Sequence, residues 1–173
     1  EEGYQLARGQ LASSLANNRL LRSTTRFDSD DEVFDNDYEV VVLSPDGKSY
    51  FVGYTNGRVE IRRSDTAQVV LTIPAHNAAV QTIEISPAGD WFATGGWDRH
   101  VKLWDTLSGE QIHEERLDYL TNFSFAFSTD NSKLAFVDAN KLVVYNKTNN
   151  GTRRYAIDDV AFLQPSAMAF SPD

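Results

Sequence analysis

The 173-residue sequence contains no cysteine, which excludes a disulfide framework, a thiolate zinc site and a cysteine nucleophile. No apolar run approaches the roughly 20 residues that a membrane-spanning helix needs. The start of the chain also lacks the basic-then-apolar profile of a signal peptide. Since hydrophobic residues make up 41% of the chain, it has enough apolar material for one modest core. We therefore expect an intracellular protein, in the cytoplasm or the nucleus, without a membrane segment.

Basic charge is also scarce, since the formal net charge is −9. Residues 27–47 contain eight acidic residues and no basic residue, whereas the rest of the chain is nearly balanced. A protein that binds a nucleic-acid backbone normally presents a basic stripe, and this sequence has none. The charge pattern therefore disfavours nucleic acid as a direct ligand.

A short segment recurs four times along the chain, each time as an apolar strand that ends in a serine-containing turn. The serines are Ser44, Ser86, Ser128 and Ser171, with spacings of 42, 42 and 43 residues. The turns are of the Ser-Pro-Asp-Gly kind, in which proline presets φ and glycine accepts positive φ. This period is typical of a repeat architecture.

Each complete unit contains four short runs rich in Val, Ile, Phe, Tyr and Trp, separated by polar turns. Four strands in about 42 residues match the blade of a β-propeller. The predicted fold class is therefore all-β, with about three complete four-stranded antiparallel blades and a truncated fourth. The strands predicted after each first strand are 50–54, 59–62 and 68–73, then 91–95, 100–104 and 111–116, then 134–137, 142–145 and 153–157.

The second unit resembles the WD-repeat β-propeller family. Ala75-His76 stands where the family has Gly-His, and Thr94, Asp98 and Trp104 follow the histidine by 18, 22 and 28 residues, as in the family pattern. The resemblance implies that His76, Thr94, Asp98 and Trp104 form a buried, hydrogen-bonded tetrad that joins the inner three strands. It extends over residues 33–173.

The other units depart from this pattern, and we expect them to depend on apolar packing alone. These divergent units are also similar to TolB-type and peptidase-associated propellers, which remain an alternative within the same fold. The residues at the tetrad positions are Phe34, Val52, Asn56 and Arg62 in the first unit, and Asp118, Phe136, Asn140 and Tyr145 in the third.

The predicted domain division has an N-terminal helix and acidic linker over residues 1–32 and a partial propeller over residues 33–173. Tyr4, Ala7, Leu11 and Leu15 have helical spacing, although divergent strands are the alternative interpretation. Because a ring needs at least four blades, we expect the natural protein to continue beyond residue 173. The expected blade boundaries are 33–75, 76–117, 118–160 and the truncated 161–173.

Catalytic chemistry has little support in the sequence. His76, Asp98 and Thr94 are the residue types of a hydrolase relay, but the repeat explains them better as blade-stabilising groups. His100 and His113 have no partner at metal-ligand spacing, and there is no nucleophile elbow or phosphate-binding loop. We predict no catalytic residue, no cofactor and no metal.

The resemblance also implies a set of partner-binding positions around the loops. Trp97 stands out among them, since it occupies the turn before Asp98, and exposed aromatic residues are typical of interface hot spots. The alternative is that Trp97 or Phe123 packs against a neighbouring loop. The candidate rim residues are Asp37, Glu39, Thr55, Gln81, Trp97 and Phe123.

The acidic run over residues 28–37 has three interpretations: a solvated linker, a docking strip for a basic partner, or a kinase target. In the last case Ser29, which precedes Asp30-Asp31-Glu32, would be the phosphorylation site.

Taken with the resemblance, these features predict a non-catalytic WD-repeat scaffold that binds other proteins within a larger protein or complex. The alternative is a regulatory or gating propeller attached to a hydrolase or nucleotide-dependent switch domain outside this chain.

Overall fold

In the computed structural model, the described residues are 38–118, 123–156 and 168–171, and they form twelve β-strands. No helix occurs among these residues. The predicted N-terminal helix and linker lie outside the described part of the chain. So does most of the truncated fourth unit, of which only residues 168–171 are described, and they form no strand.

The strands form three four-stranded antiparallel sheets, and in each sheet the spatial order follows the chain order. The predicted all-β fold of repeated four-stranded units is therefore confirmed. The strand bounds differ from the prediction by at most two residues, and those of β8 match it. The strands are β1 (Tyr38–Leu43), β2 (Ser49–Tyr54), β3 (Arg58–Arg63) and β4 (Val69–Pro74); β5 (Val80–Ile85), β6 (Trp91–Gly96), β7 (His100–Asp105) and β8 (Gln111–Arg116); and β9 (Phe125–Phe127), β10 (Lys133–Asp138), β11 (Lys141–Asn146) and β12 (Gly151–Ala156).

The repeated serine turn joins the first two strands of each sheet. The N–H groups of Gly47, Gly89 and Asn131 donate to the carbonyl oxygens of the serines three residues earlier, at 2.8–3.0 Å. All three residues have positive φ, between 60° and 74°. Glycine adopts this conformation without a steric penalty, and asparagine tolerates it better than most residues do.

The three sheets pack face to face. Their first strands lie innermost, as the contacts of β5 with both β1 and β9 show. Strand β6 of the middle sheet packs against both neighbouring sheets, and all six of its residues are buried. Trp91 and Ala93 face the third sheet, whereas Phe92 faces the first sheet and meets Phe51 at 5.0 Å between ring centroids. The core therefore consists of two apolar layers, one on each side of the middle sheet.

Candidate protein-interaction site

The second sheet contains one continuous chain of side-chain hydrogen bonds. The Trp104 Nε1–H group donates to Thr94 Oγ1 at 2.9 Å, and Thr94 Oγ1 lies 2.8 Å from His76 Nε2. His76 Nδ1 lies 2.9 Å from Asp98 Oδ1. Because a carboxylate only accepts, Nδ1 carries the histidine proton, and Nε2 accepts from the threonine hydroxyl. The structure thus brings together the four residues that the repeat pattern singled out.

Asp98 is the hub of this chain, since it also accepts the backbone N–H groups of Asn77 and His100 at 3.0 and 3.1 Å. Burial would raise the pKa of Asp98, but these donors and His76 bring it below its ordinary value. For His76, burial lowers the pKa and outweighs the opposing effect of Asp98. The pair is therefore a neutral histidine beside a carboxylate, and it fixes the start of the turn over residues 97–99.

Asp98, His76 and Thr94 are the residue types of a hydrolase relay, but the relay is closed to solvent at His76 and Thr94. The His76 side chain and Thr94 are both fully buried, so neither presents a reactive atom to solvent. Within the described ranges, no group of three His, Cys, Asp or Glu residues is placed to hold a metal ion. A search of the same residues also finds no helix long and apolar enough to cross a bilayer.

The structure corrects the expectation that the other two units depend on apolar packing alone. In the first sheet, buried Glu60 accepts the Tyr54 hydroxyl at 2.8 Å and Arg62 Nε at 2.8 Å. In the third, buried Asp138 accepts the Asp118 N–H at 2.9 Å, much as Asp98 accepts that of Asn77. The pattern of the second unit could not reveal these contacts, because the accepting carboxylates of Glu60 and Asp138 do not occupy tetrad positions.

The candidate rim residues differ widely in exposure. Trp97 is 53% exposed, and its backbone is held by a 3.0 Å hydrogen bond from its N–H to the carbonyl of Ala79. Glu39 is exposed at the start of β1, whereas Thr55 and Gln81 are half-buried. Asp37 and the candidate phosphorylation site Ser29 lie outside the described residues.

Phe123 lies in the seam between the second and third sheets. A Cβ added at Gly95 would be only 2.5 Å from Phe123 Cδ1, so the ring packs directly on the glycine backbone. The ring centroid of Phe123 also lies 6.1 Å from that of Phe125, and the side chain is half-buried. Phe123 therefore has a packing partner within the protein, unlike a freely exposed rim aromatic.

Sequence reasoning missed two basic residues at the same end of the second sheet as Trp97. Arg99 ends the same turn, and Arg116 lies opposite His100 in the β7–β8 register. Both side chains are exposed. A sequence signal was available for Arg99, because it occupies the turn position at which the first unit has Gly57.

Comparison with known proteins agrees with this architecture. Residues 67–105 match the model of the family described as WD domain, G-beta repeat. The chain is similar to WD repeat-containing protein 46 of Caenorhabditis elegans, with 26% identity over 66% of this chain and 19% of that protein. A shorter similarity, 40% identity over 24% of this chain and 5% of the relative, is to the ribosome biogenesis protein ERB1 of Candida albicans.

Solved structures show the same fold at low identity. A β-propeller domain from Myceliophteria thermophila superposes with a TM-score of 0.60 at 15% identity, over 76% of this chain and 46% of that one. A chain in the crystal structure of the mitotic checkpoint complex gives a TM-score of 0.61 at 14% identity, over 69% and 39%. The chain spans less than a fifth of the length of the curated relatives named above. The WD repeat at residues 67–105 and the three blade-like sheets confirm the predicted resemblance to the WD-repeat β-propeller family.

Proposed function

We propose that this chain is the part of a non-catalytic WD-repeat scaffold that binds other proteins through the loop end of its second blade. The loop end is defined here as the edge of the second sheet that carries the turn over residues 97–99 and the end of β8. The exposure of Trp97 on a turn that Asp98 fixes carries this proposal.

A tryptophan in this setting is suited to binding a protein. Its side chain offers a large apolar area with only two rotatable bonds, so ordering it on binding costs little conformational entropy. The turn below it is held by the Trp97–Ala79 backbone bond and by the Asp98 hydrogen bonds, so little backbone ordering is needed either. Trp97 is therefore the main anchor of the proposed interface.

The remaining rim positions contribute less in this proposal. Glu39 is an exposed charged contact near the inner strand of the first blade, and Thr55 and Gln81 offer polar groups at the interface edge. Phe123 supports the seam beneath the interface through its packing on Gly95. Asp37 and a phosphorylated Ser29 would add negative charge to the chain segment that precedes β1.

The similar proteins support a role in an intracellular assembly. They include ribosome biogenesis proteins and a component of the mitotic checkpoint complex. We infer that this chain also serves within a multiprotein complex, in the cytoplasm or the nucleus.

The test compares Trp97→Ala with Leu107→Ala in the tagged, full-length natural protein, captured from its own cells and analysed by quantitative mass spectrometry. Leu107 is the matched control because it is 93% exposed but lies in the β7–β8 turn, at the opposite end of the same sheet. We expect Trp97→Ala to lose at least one partner that Leu107→Ala retains. Equal partner recovery from both variants would contradict the proposal.

A further inference from the structure

Arg99 occupies a backbone conformation that arginine rarely adopts. Its φ is 65°, in the left-handed region, and Gly57 occupies the equivalent turn position of the first blade with a φ of 86°. Arg99 and Gly57 are equivalent in their hydrogen bonding as well as in their sequence position. The carbonyl of Gly57 accepts the His76 N–H and that of Arg99 accepts the Leu117 N–H, each at 2.8 Å.

The fold itself does not require an arginine at this position. Left-handed backbone is unfavourable for a residue with a long side chain and costs glycine nothing. In the first blade a side chain is excluded, since a Cβ at Gly57 would lie 1.9 Å from the His76 carbonyl oxygen. Backbone strain of this kind tends to persist at functional positions, so the arginine side chain points to a role outside the fold.

The guanidinium group of Arg99 also lacks an acidic partner within ion-pair distance among the described residues. Four other arginines in the described part of the chain, Arg58, Arg62, Arg63 and Arg154, lie within ion-pair distance of an acidic side chain. Arg99, Arg116 and Arg153 have no such partner among the described residues, and of these three only Arg99 and Arg116 lie at the loop end of the second blade.

The two arginines lie at the same place in the blade. Arg116 faces His100 across the β7–β8 pair, and the Arg99 carbonyl accepts the N–H of the residue that follows Arg116. Trp97 begins the turn that Arg99 ends. The loop end therefore presents one exposed indole and two uncompensated guanidinium groups.

We propose that the corner formed by Trp97, Arg99 and Arg116 binds an acidic segment of a partner protein, one that carries carboxylates next to an aromatic or aliphatic side chain. Guanidinium groups bind carboxylates through paired hydrogen bonds, and the indole accepts the apolar side chain. This inference rests on the proposed scaffold function and specifies the chemistry of its partner. A nucleic acid fits less well, because its regularly spaced phosphates need an extended basic stripe, and this chain of net charge −9 has none.

The test uses fluorescence anisotropy with the full-length natural protein and a fluorescein-labelled decapeptide that contains seven Asp or Glu residues and a central Phe. A second peptide replaces every Asp by Asn and every Glu by Gln. The variants are Arg99→Gly, Arg116→Gln and Trp97→Ala, with Arg153→Gln as the control. Arg153 is an exposed arginine on β12, on a different blade.

We expect Arg99→Gly and Arg116→Gln each to weaken binding of the acidic peptide about fivefold, while Arg153→Gln stays within about twofold. The neutral peptide should bind much more weakly, and salt should weaken binding of the acidic one. Arg99→Gly should also melt at the same or a higher temperature, because it removes the left-handed strain. A loss of binding without a loss of stability separates recognition from folding.

The proposal is overturned if Arg99→Gly binds the acidic peptide as the natural protein does, or if the neutral peptide binds equally well. Displacement of the peptide by an equimolar single-stranded oligonucleotide would also overturn it, in favour of nucleic-acid binding. The partner-capture experiment, with Arg99→Gly added, distinguishes a failure of the acidic-peptide proposal from a failure of the scaffold function. If Trp97→Ala loses a partner there and Arg99→Gly does not, the scaffold function stands and only the acidic chemistry fails.

Discussion

At the scale of single residues, Asp98 does the most for the second blade, because its carboxylate accepts from one side chain and two backbone N–H groups. Replacing it with alanine leaves these donors without an acceptor in a largely buried place, where each unpaired group carries a desolvation cost. We expect Asp98→Ala to lower the free energy of unfolding by about 1–3 kcal/mol, measured by urea denaturation.

The matched control for this change is Asp118→Ala, at the same end of the third blade. The Asp118 side chain is 62% exposed and pairs only with Lys141 at 3.4 Å, so its loss should cost no more than about 0.5 kcal/mol. Since the pKa of Asp98 is lowered in the fold, its contribution is present above the ordinary value of 3.8 and is lost as the pH falls through the folded value. Equal stability of the two variants would contradict the role of Asp98.

Glu84 is a second residue whose behaviour follows from burial. It lies on the innermost strand β5, opposite Ala93, and the other repeats have Val42, Ala126 and Ala169 at this position. Burial raises its pKa from 4.5 to about 7. Among the described residues, its carboxylate has no hydrogen-bond or ion-pair partner to offset this cost.

The raised pKa of Glu84 predicts a pH-dependent loss of stability. The folded protein holds this proton more tightly than the unfolded chain does. The contribution of Glu84 to stability is therefore fully present below pH 4.5 and is lost as the pH rises through about 7. Glu84→Gln removes the effect, so its stability relative to the natural protein should rise by about 2–3 kcal/mol between pH 5 and pH 8. Thermal melts across this range measure the difference.

The exposed Glu110→Gln is the control for the Glu84 experiment, because its difference from the natural protein should not vary with pH. A flat profile for Glu84→Gln as well would mean that the Glu84 carboxylate is solvated in the native protein.

At the scale of strands and sheets, the seam between the second and third blades depends on close contact at one glycine. A Cβ at Gly95 would lie 2.5 Å from the Phe123 ring, and a shift of that ring would also disturb its neighbour Phe125. We expect Gly95→Ala to destabilise the fold by about 1–3 kcal/mol through overpacking. Chemical denaturation measures the change.

A double-mutant cycle identifies the contact responsible. When Phe123→Ala is combined with Gly95→Ala, the ring that the new Cβ would strike is gone, so the double variant should be more stable than the sum of the single effects predicts. Additive effects would show that Phe123 does not pack on Gly95.

The sequence predicts the strands well because the constraint is local and repeated. Each unit has four β-rich runs at a constant spacing, and the turn serines fix where the first two strands meet. The polar cluster of Tyr54, Glu60 and Arg62 was not predictable in this way. It depends on the antiparallel register of β2 and β3, which places Glu60 opposite Val52 and next to Tyr54.

The candidate site was predictable only in part for the same reason. Trp97 follows from its place in the turn, because that position is set by the offset from His76. The environment of Phe123 does not, since it depends on how two separate sheets approach each other. The conformation of Arg99 becomes apparent only when its φ is compared with that of Gly57.

At the scale of the whole molecule, the second blade is the central element of the described structure. Both apolar core layers include its residues, and its inner strand β5 contacts the inner strands of the first and third sheets. In such an array, stability comes from each unit and its interfaces with its neighbours. The loop end of the second blade is therefore built on the most supported part of the chain.

The charge of the protein is also distributed unevenly along the chain. Eight acidic residues lie within residues 27–47, whereas the loop end of the second blade carries two uncompensated arginines. Two guanidinium groups without ion pairs at one place can fix the orientation in which an acidic partner binds. In this proposal Trp97 anchors the partner, and the two arginines set its orientation.

Amide hydrogen exchange tests the central claim most directly, with the full-length protein measured alone and together with the partner lost from the Trp97→Ala capture. Binding at the loop end predicts slower exchange over residues 96–100 and 116–118, with no change over residues 106–110 at the opposite end of the same sheet. Protection confined to residues 106–110, or none in the second blade, would contradict the account.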